Sequence, residues 1–466
     1  MISGLRPYPA MKVSGAPWLG DVPEHWGVER LKALAANIIE QIAEHQNGSL
    51  YVALEHVESW TGRLREPGPD VMFDSQVKRF RVDDVLFGKL RPYLAKVTRP
   101  MREGVCVGEF LVLRPKGVGL RSAFLEQLLR SKPVIDAIDA STFGAKMPRA
   151  EWQFVGNMRL PWPPVAEQIA IVRFLAYADQ RIRRYIRAKQ KLIRLLEEEK
   201  QAIIHRAVTR GLDTNVRLKP SGLKWLGDVP AHWSIRRTKA LFRLRTEKSG
   251  ERHGLELLSI YTHIGVRPRK DLEERGNKAS TTDDYWHVKR GDIIVNKLLA
   301  WMGAIGVSNF EGVTSPAYDI LMPIEELVPE FYHHLFRTKL YLQQFKQRSR
   351  GIMDMRLRLY FDQLGQIPLV VPPFEEQSSI VAYCAEATSN LERTVGNVQR
   401  QVALLREYRT HLVADVVTGK LDVREVVARL PDETEASEDF AEADSVLDDG
   451  LPEDADVELV ADEAEG

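Results

Sequence analysis

Residues 12–34 read KVSGAPWLGDVPEHWGVERLKAL, and residues 219–241 repeat the pattern as KPSGLKWLGDVPAHWSIRRTKAL. The two stretches start 207 positions apart and are identical at about two positions in three. Self-similarity at a fixed spacing is the mark of a duplicated structural unit. The chain therefore consists of two tandem copies of one unit of roughly 200 residues.

Two further matches keep nearly the same spacing. DVLFGKL at 84–90 corresponds to DIIVNKL at 292–298, and PPVAEQ at 163–168 corresponds to PPFEEQ at 372–377. Between the first box and the double proline, short β-branched runs alternate with glycine and proline and with short helical patterns. This mixture predicts a mixed α/β globular domain in each copy.

After each double proline the apolar pattern changes to that of a long helix. Steps of four and three mark a heptad seam in both copies: Ile182, Ile186, Lys189, Ile193, Leu196, Lys200, Ile203 and Ala207, then Leu391, Val395, Val398, Val402, Leu405, Arg409, Leu412 and Val416. Two matching seams predict two helices that pair along their length. At 1.5 Å per residue, a helix of about 45 residues is roughly 65 Å long, which makes the pair a spacer.

The predicted fold class is α+β. We expect two similar mixed α/β domains in tandem repeat, separated by two long antiparallel coiled-coil helices with pseudo-twofold symmetry, followed by a disordered acidic C-terminal tail. The predicted boundaries are 1–165 for the first domain, 166–212 for the first long helix, 213–373 for the second domain, 374–425 for the second helix and 426–466 for the tail.

The formal net charge of zero averages two different regions. Residues 431–466 hold 16 Asp and Glu and no Lys or Arg, which leaves 49 acids against 65 bases in the rest of the chain. A basic body is typical of proteins that bind a polyanion, and a dense run of like charge predicts disorder in the tail. The tail either screens the basic body or aids solubility.

Other features of the composition exclude several classes of protein. Two cysteines without CxxC spacing are too few for a disulfide framework or a zinc site. The N-terminal residues lack the apolar core of a signal peptide, and no stretch approaches the roughly 20 apolar residues of a membrane span. We expect a soluble cytoplasmic protein with no membrane partner and no metal.

The repeated motifs resemble those of the specificity (S) subunits of type I restriction-modification systems. The resemblance rests on the doubled WLGDVPxHW box, the doubled PPxxEQ motif and the helix ends AVTRG at 207–211 and VVTGK at 416–420, and it covers nearly all of residues 10–425. It implies two target recognition domains, each contacting one half of a bipartite, asymmetric site in double-stranded DNA.

The resemblance also implies partners and cofactors. The helices would hold two methyltransferase (modification) subunits, with restriction and translocase subunits joining outside them. S-adenosylmethionine, ATP and Mg²⁺ are expected in those partner subunits, and no cofactor is expected in this chain.

Base and phosphate contacts need cationic and amide side chains on loops or strand ends. In the first copy the candidates lie in residues 88–96 and in the glycine-containing loop 143–149; the second copy offers residues 267–270, the position equivalent to Lys89, and the basic loop 348–358. The predicted DNA-binding residues are Lys89, Arg91, Tyr93, Lys96, Lys146, Arg149, Arg267, Arg269, Lys270, Lys297, Arg348, Arg350, Arg356 and Arg358. A solvated surface cation is the alternative for each of them.

The duplicated boxes contain four tryptophans, Trp18, Trp26, Trp225 and Trp233. As paired members of one motif they are interpreted as core residues or as anchors that contact a partner subunit, since the resemblance of the two boxes suggests that both meet the same type of partner. The cations Lys200 and Arg409 interrupt the two seams, where they either extend their charged ends to solvent or fix the register of the helices.

The lack of catalytic motifs favours a protein without catalysis of its own. An amino-methyltransferase needs Asp or Asn before Pro-Pro-aromatic, but the chain has Val371-Pro372-Pro373-Phe374. The chain contains no GxxxxGK[ST] loop for nucleotide phosphates. Two alternatives remain: a protein-only scaffold with duplicated domains, and the specificity subunit of a compact restriction-modification enzyme outside type I.

Overall fold

The computed structural model of the chain describes residues 4–42, 50–65, 77–142, 147–250, 255–262, 264–271, 284–351 and 357–431. The chain divides into two compact units. Unit 1 comprises Met1–Lys191 and Gln399–Gly466, and unit 2 comprises Leu192–Val398. Each unit therefore combines one globular domain with part of each long helix. Both units are mixed α+β, which confirms the predicted fold class.

In unit 1, twelve strands are described: β1 (Met11–Val13), β2 (Asp21–Pro23), β3 (Gly27–Arg30), β4 (Ala35–Ile38), β5 (Gln41–Ile42), β6 (Leu50–Val52), β7 (Val77–Phe80), β8 (Val85–Gly88), β9 (Val97–Thr98), β10 (Gly104–Val107), β11 (Phe110–Pro115) and β12 (Arg159–Trp162). Its short helices are α1 (Leu31–Leu34), α2 (Ser122–Arg130), α3 (Lys132–Asp139) and α4 (Trp152–Asn157). The first long helix, α5, spans Val165–Arg210 and belongs to both units.

The same order returns in unit 2, whose described strands are β13 (Leu218–Pro220), β14 (Asp228–Pro230), β15 (Ser234–Arg237), β16 (Phe242–Leu244), β17 (Leu258–Tyr261), β18 (Gly265–Pro268), β19 (Trp286–Val288), β20 (Ile293–Asn296), β21 (Ile305–Val307), β22 (Gly312–Thr314), β23 (Tyr318–Pro323) and β24 (Pro368–Val371). Its short helices are α6 (Thr238–Leu241), α7 (Pro329–Phe336), α8 (Lys339–Arg348) and α9 (Phe361–Leu364). The second long helix, α10, spans Phe374–Val417, and α11 (Arg424–Val427) follows it in unit 1.

One four-stranded antiparallel sheet is built identically in the two units. Its strand order is β4-β11-β8-β9 in unit 1 and β16-β23-β20-β21 in unit 2. All four residues of β8 and of β20 are buried, which accounts for the continuous apolar runs VLFG and IIVN rather than an alternating pattern. The duplicated DVLFGKL and DIIVNKL motifs therefore place the central strand of this sheet.

The second sheet differs between the units. In unit 1 it has the order β5-β7-β10-β6, with β6 parallel to β10. In unit 2, β19 pairs with β22 in the place of β7 and β10, but β17 forms a hairpin with β18. The hairpin strand β18 has no counterpart among the described residues of unit 1. The sequence divergence between the two copies therefore falls in this part of the fold.

Within each unit, the segments of the two long helices lie antiparallel to each other, as predicted. In unit 1 the Lys189 ammonium donates to Gln401 Oε1 at 2.6 Å, and the Arg409 guanidinium lies 2.5 Å from the Asp179 carboxylate. In unit 2 the Lys200 ammonium lies 2.9 Å from the Glu392 carboxylate. The two cations that interrupt the seams thus form ion pairs between the helices, and the partner numbers fall as the helix numbers rise.

The second helix ends earlier than predicted. It stops at Val417 instead of 425, because Gly419 adopts φ +80° and ends the helix through a left-handed residue. The segment that follows packs back on unit 1, where Asp422 forms a bridge with Arg6 and the half-buried Val426 and Val427 contact the core. The tail predicted for 426–466 therefore includes six structured residues, and 432–466 lie outside the described residues.

Candidate nucleic-acid interface

The loop that follows β8 carries four of the predicted contact residues. Arg91 and Ala95 both adopt the left-handed conformation, with φ 52° and 49°, on either side of a short 3-10 helix at Pro92–Leu94. Such values cost about 1–2 kcal/mol for residues other than glycine and persist only when neighbouring contacts hold them. The turn leaves Arg91 exposed and the Tyr93 side chain 44% exposed.

The structure joins this loop to the second predicted segment. The amide of Ala150 donates to the Lys89 carbonyl at 2.9 Å, and the amide of Arg91 donates to the Pro148 carbonyl at 2.8 Å. Residues 88–96 and the end of the 143–149 loop thus form one surface, although they were predicted separately. Lys146 lies outside the described residues.

Two cations of this surface bind within unit 1. The Lys96 ammonium donates to the Leu54 carbonyl at 2.7 Å, and burial lowers its pKa. Arg149 donates to both carboxylate oxygens of Glu109 at 3.2–3.3 Å. The Lys96 ammonium thus ties this loop to Leu54 of the same unit, because a half-buried cation needs a local acceptor. The contact of Lys96 with DNA stays a prediction. The groups that face solvent are Arg91 and Tyr93, with Lys89 half-buried.

Unit 2 repeats the arrangement with different residues. The amide of Leu359 donates to the Lys297 carbonyl at 2.8 Å, which matches the Ala150–Lys89 contact of unit 1. The Lys297 ammonium donates to the Pro316 carbonyl at 2.9 Å and lies 3.5 Å from Asp319, so it too holds its loop in place rather than extending outwards. The contact of Lys297 with DNA stays a prediction.

The basic loop after α8 forms a short antiparallel bridge. Arg350 and Arg358 exchange two backbone hydrogen bonds of 2.9 Å, and the Arg350 guanidinium donates to Asp362 at 2.7 Å. Arg358 is exposed and Arg348 is half-buried at the end of α8. Arg356 lies outside the described residues. Since Leu359 follows Arg358 directly, this loop adjoins the Lys297 turn, as loop 143–149 adjoins the Lys89 turn.

The third predicted cluster lies on the hairpin that distinguishes unit 2. Arg267 is in β18, and Arg269 and Lys270 are in the 3-10 turn after it. The Lys270 ammonium lies 2.5 Å from Glu256, and β18 packs beside β21, the strand that follows the Lys297 turn. The cluster therefore lies next to β21, on a strand and a turn that are specific to this unit.

The duplicated motifs have a role that the sequence analysis missed. In unit 1, Trp26 Nε1 donates to Glu167 at 2.9 Å, and His25 Nε2 lies 2.6 Å from the same carboxylate. In unit 2, His232 Nε2 lies 2.7 Å from Glu376. The box and the PPxxEQ glutamate thus bind each other.

The helix ends complete these contacts. Gly419 packs so closely on the first box that a Cβ there would lie 2.3 Å from Pro23 and 2.9 Å from Trp26. Gly211 faces Glu376 and Trp233 more loosely, with a Cβ at 3.1 and 3.4 Å from them. We call these two clusters the junctions: His25, Trp26, Glu167 and Gly419 in unit 1, and His232, Trp233, Glu376 and Gly211 in unit 2.

The junctions correct the interpretation of two tryptophans. Trp26 and Trp233 are 0% exposed, so neither can touch a partner subunit. The two boxes are alike because each packs on a helix start and a helix end, which does not require a common partner. Trp18 and Trp225 are only half-buried, and their contact with a partner stays a prediction.

Two absences concern the part of the chain that the structure describes. No group of three or more His, Cys, Asp or Glu in it is placed to hold a metal ion. None of its helices combines the length and apolarity that crossing a bilayer demands.

The fold matches a solved structure. A chain from the structure described as "Structural basis underlying complex assembly and conformational transition of the type I R-M system" is 20% identical, with a TM-score of 0.61, over 85% of this chain and 98% of that one. The HsdS subunit from Thermoanaerobacter tengcongensis is 20% identical over 86% of this chain and 98% of that one, with a TM-score of 0.44. No protein-family model matches the chain.

Two curated proteins are similar in sequence. The type I restriction enzyme EcoDI specificity subunit of Escherichia coli is 26% identical over 171 residues, which are 34% of this chain and 37% of that protein. The type I restriction enzyme MjaVIII specificity subunit of Methanocaldococcus jannaschii is 19% identical over 342 residues, 69% of this chain and 76% of that protein. The matched part thus spans little more than a third of the first relative.

Proposed function

We propose that this chain, whose homologues are specificity subunits of type I restriction enzymes as its repeated motifs indicated, selects the DNA site of such a complex. Each unit contacts one half of a bipartite, asymmetric sequence. The observation that carries the proposal is an arrangement found in both units. The loop that follows β8 in unit 1, and the loop that follows β20 in unit 2, each lie against a second basic loop. The neighbouring sheets differ, as two different half-sites require.

In this proposal the exposed Arg91 and Arg358 supply contacts together with the half-buried arginines of the hairpin. Arg91 and Tyr93 serve unit 1, whereas Arg358 and the hairpin residues Arg267 and Arg269 serve unit 2. Arginine is suited to both bidentate contacts with guanine and contacts with phosphate. Lys96, which is hydrogen-bonded to a backbone carbonyl, and the ion-paired Lys297 and Arg149 position the loops that carry these groups.

A domain exchange tests this assignment. Replacing residues 35–160 by those of a relative should change one half of the recognised site and leave the other half unchanged. Mapping modified adenines genome-wide, with the parent chain as control, reports both halves at once. A protein-only scaffold would show no change in sequence preference, and a change in both halves would contradict the assignment of one unit to one half-site.

Salt dependence tests direct DNA binding. If the complex neutralises about eight phosphates, a log–log plot of affinity against salt should have a slope near −7. A slope near zero would count against a DNA contact by this chain.

We further propose that the helix pair binds two methyltransferase subunits, with restriction and translocase subunits outside them. In unit 1 an apolar groove of about 400 Å³ lies between the helices and is lined by Ile182, Tyr185, Leu404, Leu405 and Tyr408. Tyr185 is 48% and Leu404 63% exposed, which is a large apolar surface for a helix pair. Any catalysis, with S-adenosylmethionine, ATP and Mg²⁺, is assigned to those partners.

A charge placed in this groove should separate the two roles. Leu404→Asp should reduce co-purification of the methyltransferase subunit by at least tenfold, because burying a carboxylate in an apolar contact is costly. Duplex binding by the variant chain alone should be unchanged. Ile39→Asp, at a 72% exposed position outside the groove, is the matched control. Equal co-purification of both variants would place the partner elsewhere.

A further inference from the structure

A groove runs along one face of α5 in unit 1, and cations dominate its walls. It consists of three cavities of about 740, 260 and 600 Å³. The first and second share Ala176, and the second and third share Lys132, Arg183 and Arg409. Five arginines and two aspartates line the first cavity, whereas five cations and one glutamate line the third. We call this feature the basic groove.

The fold itself does not require these cations. The equivalent helix positions in unit 2, 209 residues away, replace Arg183 by Glu392, Arg187 by Gly396 and Arg406 by Glu197. Unit 2 builds the same helix pair with them and forms the Lys200–Glu392 ion pair at 2.9 Å where unit 1 has Arg409 and Arg183. Since both versions support the same architecture, the positive charge of unit 1 points to an anionic ligand.

We propose that the ligand is the acidic segment 432–466 of the same chain. It contains 16 Asp and Glu and no Lys or Arg. The last described residue, Pro431, is held at one end of the groove, because Arg173 donates to its carbonyl at 2.9 Å and Arg173 also lines the first cavity. The segment therefore starts where the groove starts.

The distances along the helix fit this occupant. Arg187 lies 14 residues beyond Arg173, which is about four turns, so both side chains project from nearly the same face about 21 Å apart. An extended chain rises about 3.3 Å per residue, so residues 432–439, DETEASED, can span this length. Five of those eight residues are acidic.

The shape of the groove favours a single extended chain over a duplex. Its smallest cavity, of about 260 Å³, is lined by Arg130 and by residues of both long helices. A DNA duplex is far wider than such a cavity and contacts proteins through exposed loops and ridges. Several groove cations already have partners, such as Asp83 for Arg99 and Asp179 for Arg409, and the excess of positive charge over these carboxylates attracts the segment.

Carbodiimide cross-linking of the full chain tests the proposal without DNA. The exposed Lys132 ammonium, which lines the groove, should form an amide with a carboxylate of 432–466, detected by mass spectrometry of peptides. The cross-link should fall at least fivefold in 1 M salt, because the attraction is electrostatic. Lys12, an exposed lysine that does not line the groove, is the internal control. An equal yield at Lys12 and Lys132 would overturn the proposal.

A charge exchange that copies unit 2 gives the second test. The variant Arg183→Glu with Arg406→Glu introduces the unit 2 residues, so we expect it to fold, which circular dichroism checks. Hydrogen exchange in peptides 173–187 and 400–413 should accelerate several-fold when 432–466 are deleted from the parent chain, and should be unaffected by that deletion in the variant. A synthetic peptide of residues 432–449 should restore protection to the truncated parent.

Two results would contradict the assignment. If deletion of 432–466 leaves exchange in the groove unchanged, the segment does not bind there. If, in addition, the double variant weakens duplex binding by tenfold or more with the segment deleted, the groove binds nucleic acid instead. A failure of duplex binding in both chains with normal cross-links would count against the proposed function and leave this inference standing.

Discussion

Unit 1 and unit 2 share one sheet topology, but each pairs the same buried aspartate with an arginine from a different position. In unit 1 the buried Asp84 at the start of the central strand binds Arg114 from β11, with distances of 2.6 and 2.7 Å. In unit 2 the equivalent Asp292 binds Arg245, which follows β16, at 2.8 and 2.9 Å. The position equivalent to Arg114 is Met322, and the position equivalent to Arg245 is Ile38. The buried carboxylate thus requires a cation in both units, but the position that supplies the cation differs.

The junctions differ in a similar way. Glu167 accepts hydrogen bonds from Trp26 and from Tyr8 at 2.9 and 3.0 Å, whereas Trp233 Nε1 has no partner among the described residues of unit 2. Burial, followed by the charge of Glu167, raises the pKa of Tyr8. The comparison shows that the motif specifies packing of the indole and leaves its hydrogen bond to local context.

The largest expected effect comes from separating the buried ion pair. Arg114→Met leaves Asp84 buried without its cation and should lower the free energy of unfolding of unit 1 by about 3–5 kcal/mol. Adding Ile38→Arg recreates the unit 2 arrangement and should recover at least half of that loss. Urea unfolding of the two variants measures both values. No recovery in the double variant would show that the two strands are not interchangeable.

The junction glycines should differ in tolerance. Gly419→Ala forces a Cβ to within 2.3 Å of the rigid Pro23 ring and also strains a φ of +80°, so we expect a loss of about 3 kcal/mol. Gly211→Ala meets its nearest atom at 3.1 Å and should cost about 1 kcal/mol through backbone strain alone. Thermal melts of both variants test this difference. Equal losses would mean that the junctions pack alike.

Acid should act differently on the two units. Burial lowers the pKa of His333 to about 3 and of His334 to about 4 in unit 2. Since the unfolded chain takes up protons near pH 6.5, stability from these neutral histidines is complete above that pH and falls by about 2 kcal/mol per histidine on going to pH 5. At the position equivalent to His333, unit 1 has Glu126, whose pKa is raised by burial. Protonation of this carboxyl favours the folded state, so lowering the pH should stabilise unit 1 at this position.

Hydrogen exchange of each unit between pH 7 and 5, corrected for the intrinsic rate, measures this effect. His333→Asn is the matched variant, because the asparagine oxygen can replace Nδ1 as acceptor for the Val307 amide, at 3.3 Å in the parent. It should remove about half of the pH dependence of unit 2, because His334 remains, and leave unit 1 unchanged. An unchanged slope would assign the acid sensitivity to other groups.

The smallest expected effect is on the affinity for duplex DNA. Arg91→Ala and Arg358→Ala should each weaken duplex binding by about tenfold or less and, if the contact is to phosphate, reduce the salt slope by about 1. Lys96→Met should instead alter stability, since its ammonium is bound within unit 1. Fluorescence anisotropy at several salt concentrations separates the two outcomes. Unchanged slopes in both arginine variants would place the contacts on other residues.

Much of the architecture could be predicted from the sequence because its signals are local. Apolar runs identified β8 and β20, heptads identified α5 and α10, and the doubled motifs resemble those of the specificity subunits to which the chain is similar in sequence. The predicted contacts of individual cations with DNA are untested as a set. The sequence could not indicate the local acceptors of the Lys96 and Lys297 ammonium groups, because these acceptors lie 42 and 19 residues away.

By itself, the sequence determined that there are two copies of one unit, that each contains a long helix and that the seams match, because periodicity and repetition depend only on the order of residues. Only the tertiary structure decided which helix end packs on which box to complete each unit. The helix end of the first copy packs on the box of the second, and the helix end of the second packs on the box of the first. The reason is physical: a rigid helix of 44 or 46 residues carries its two ends to different places, and packing there depends on shape that no local pattern encodes.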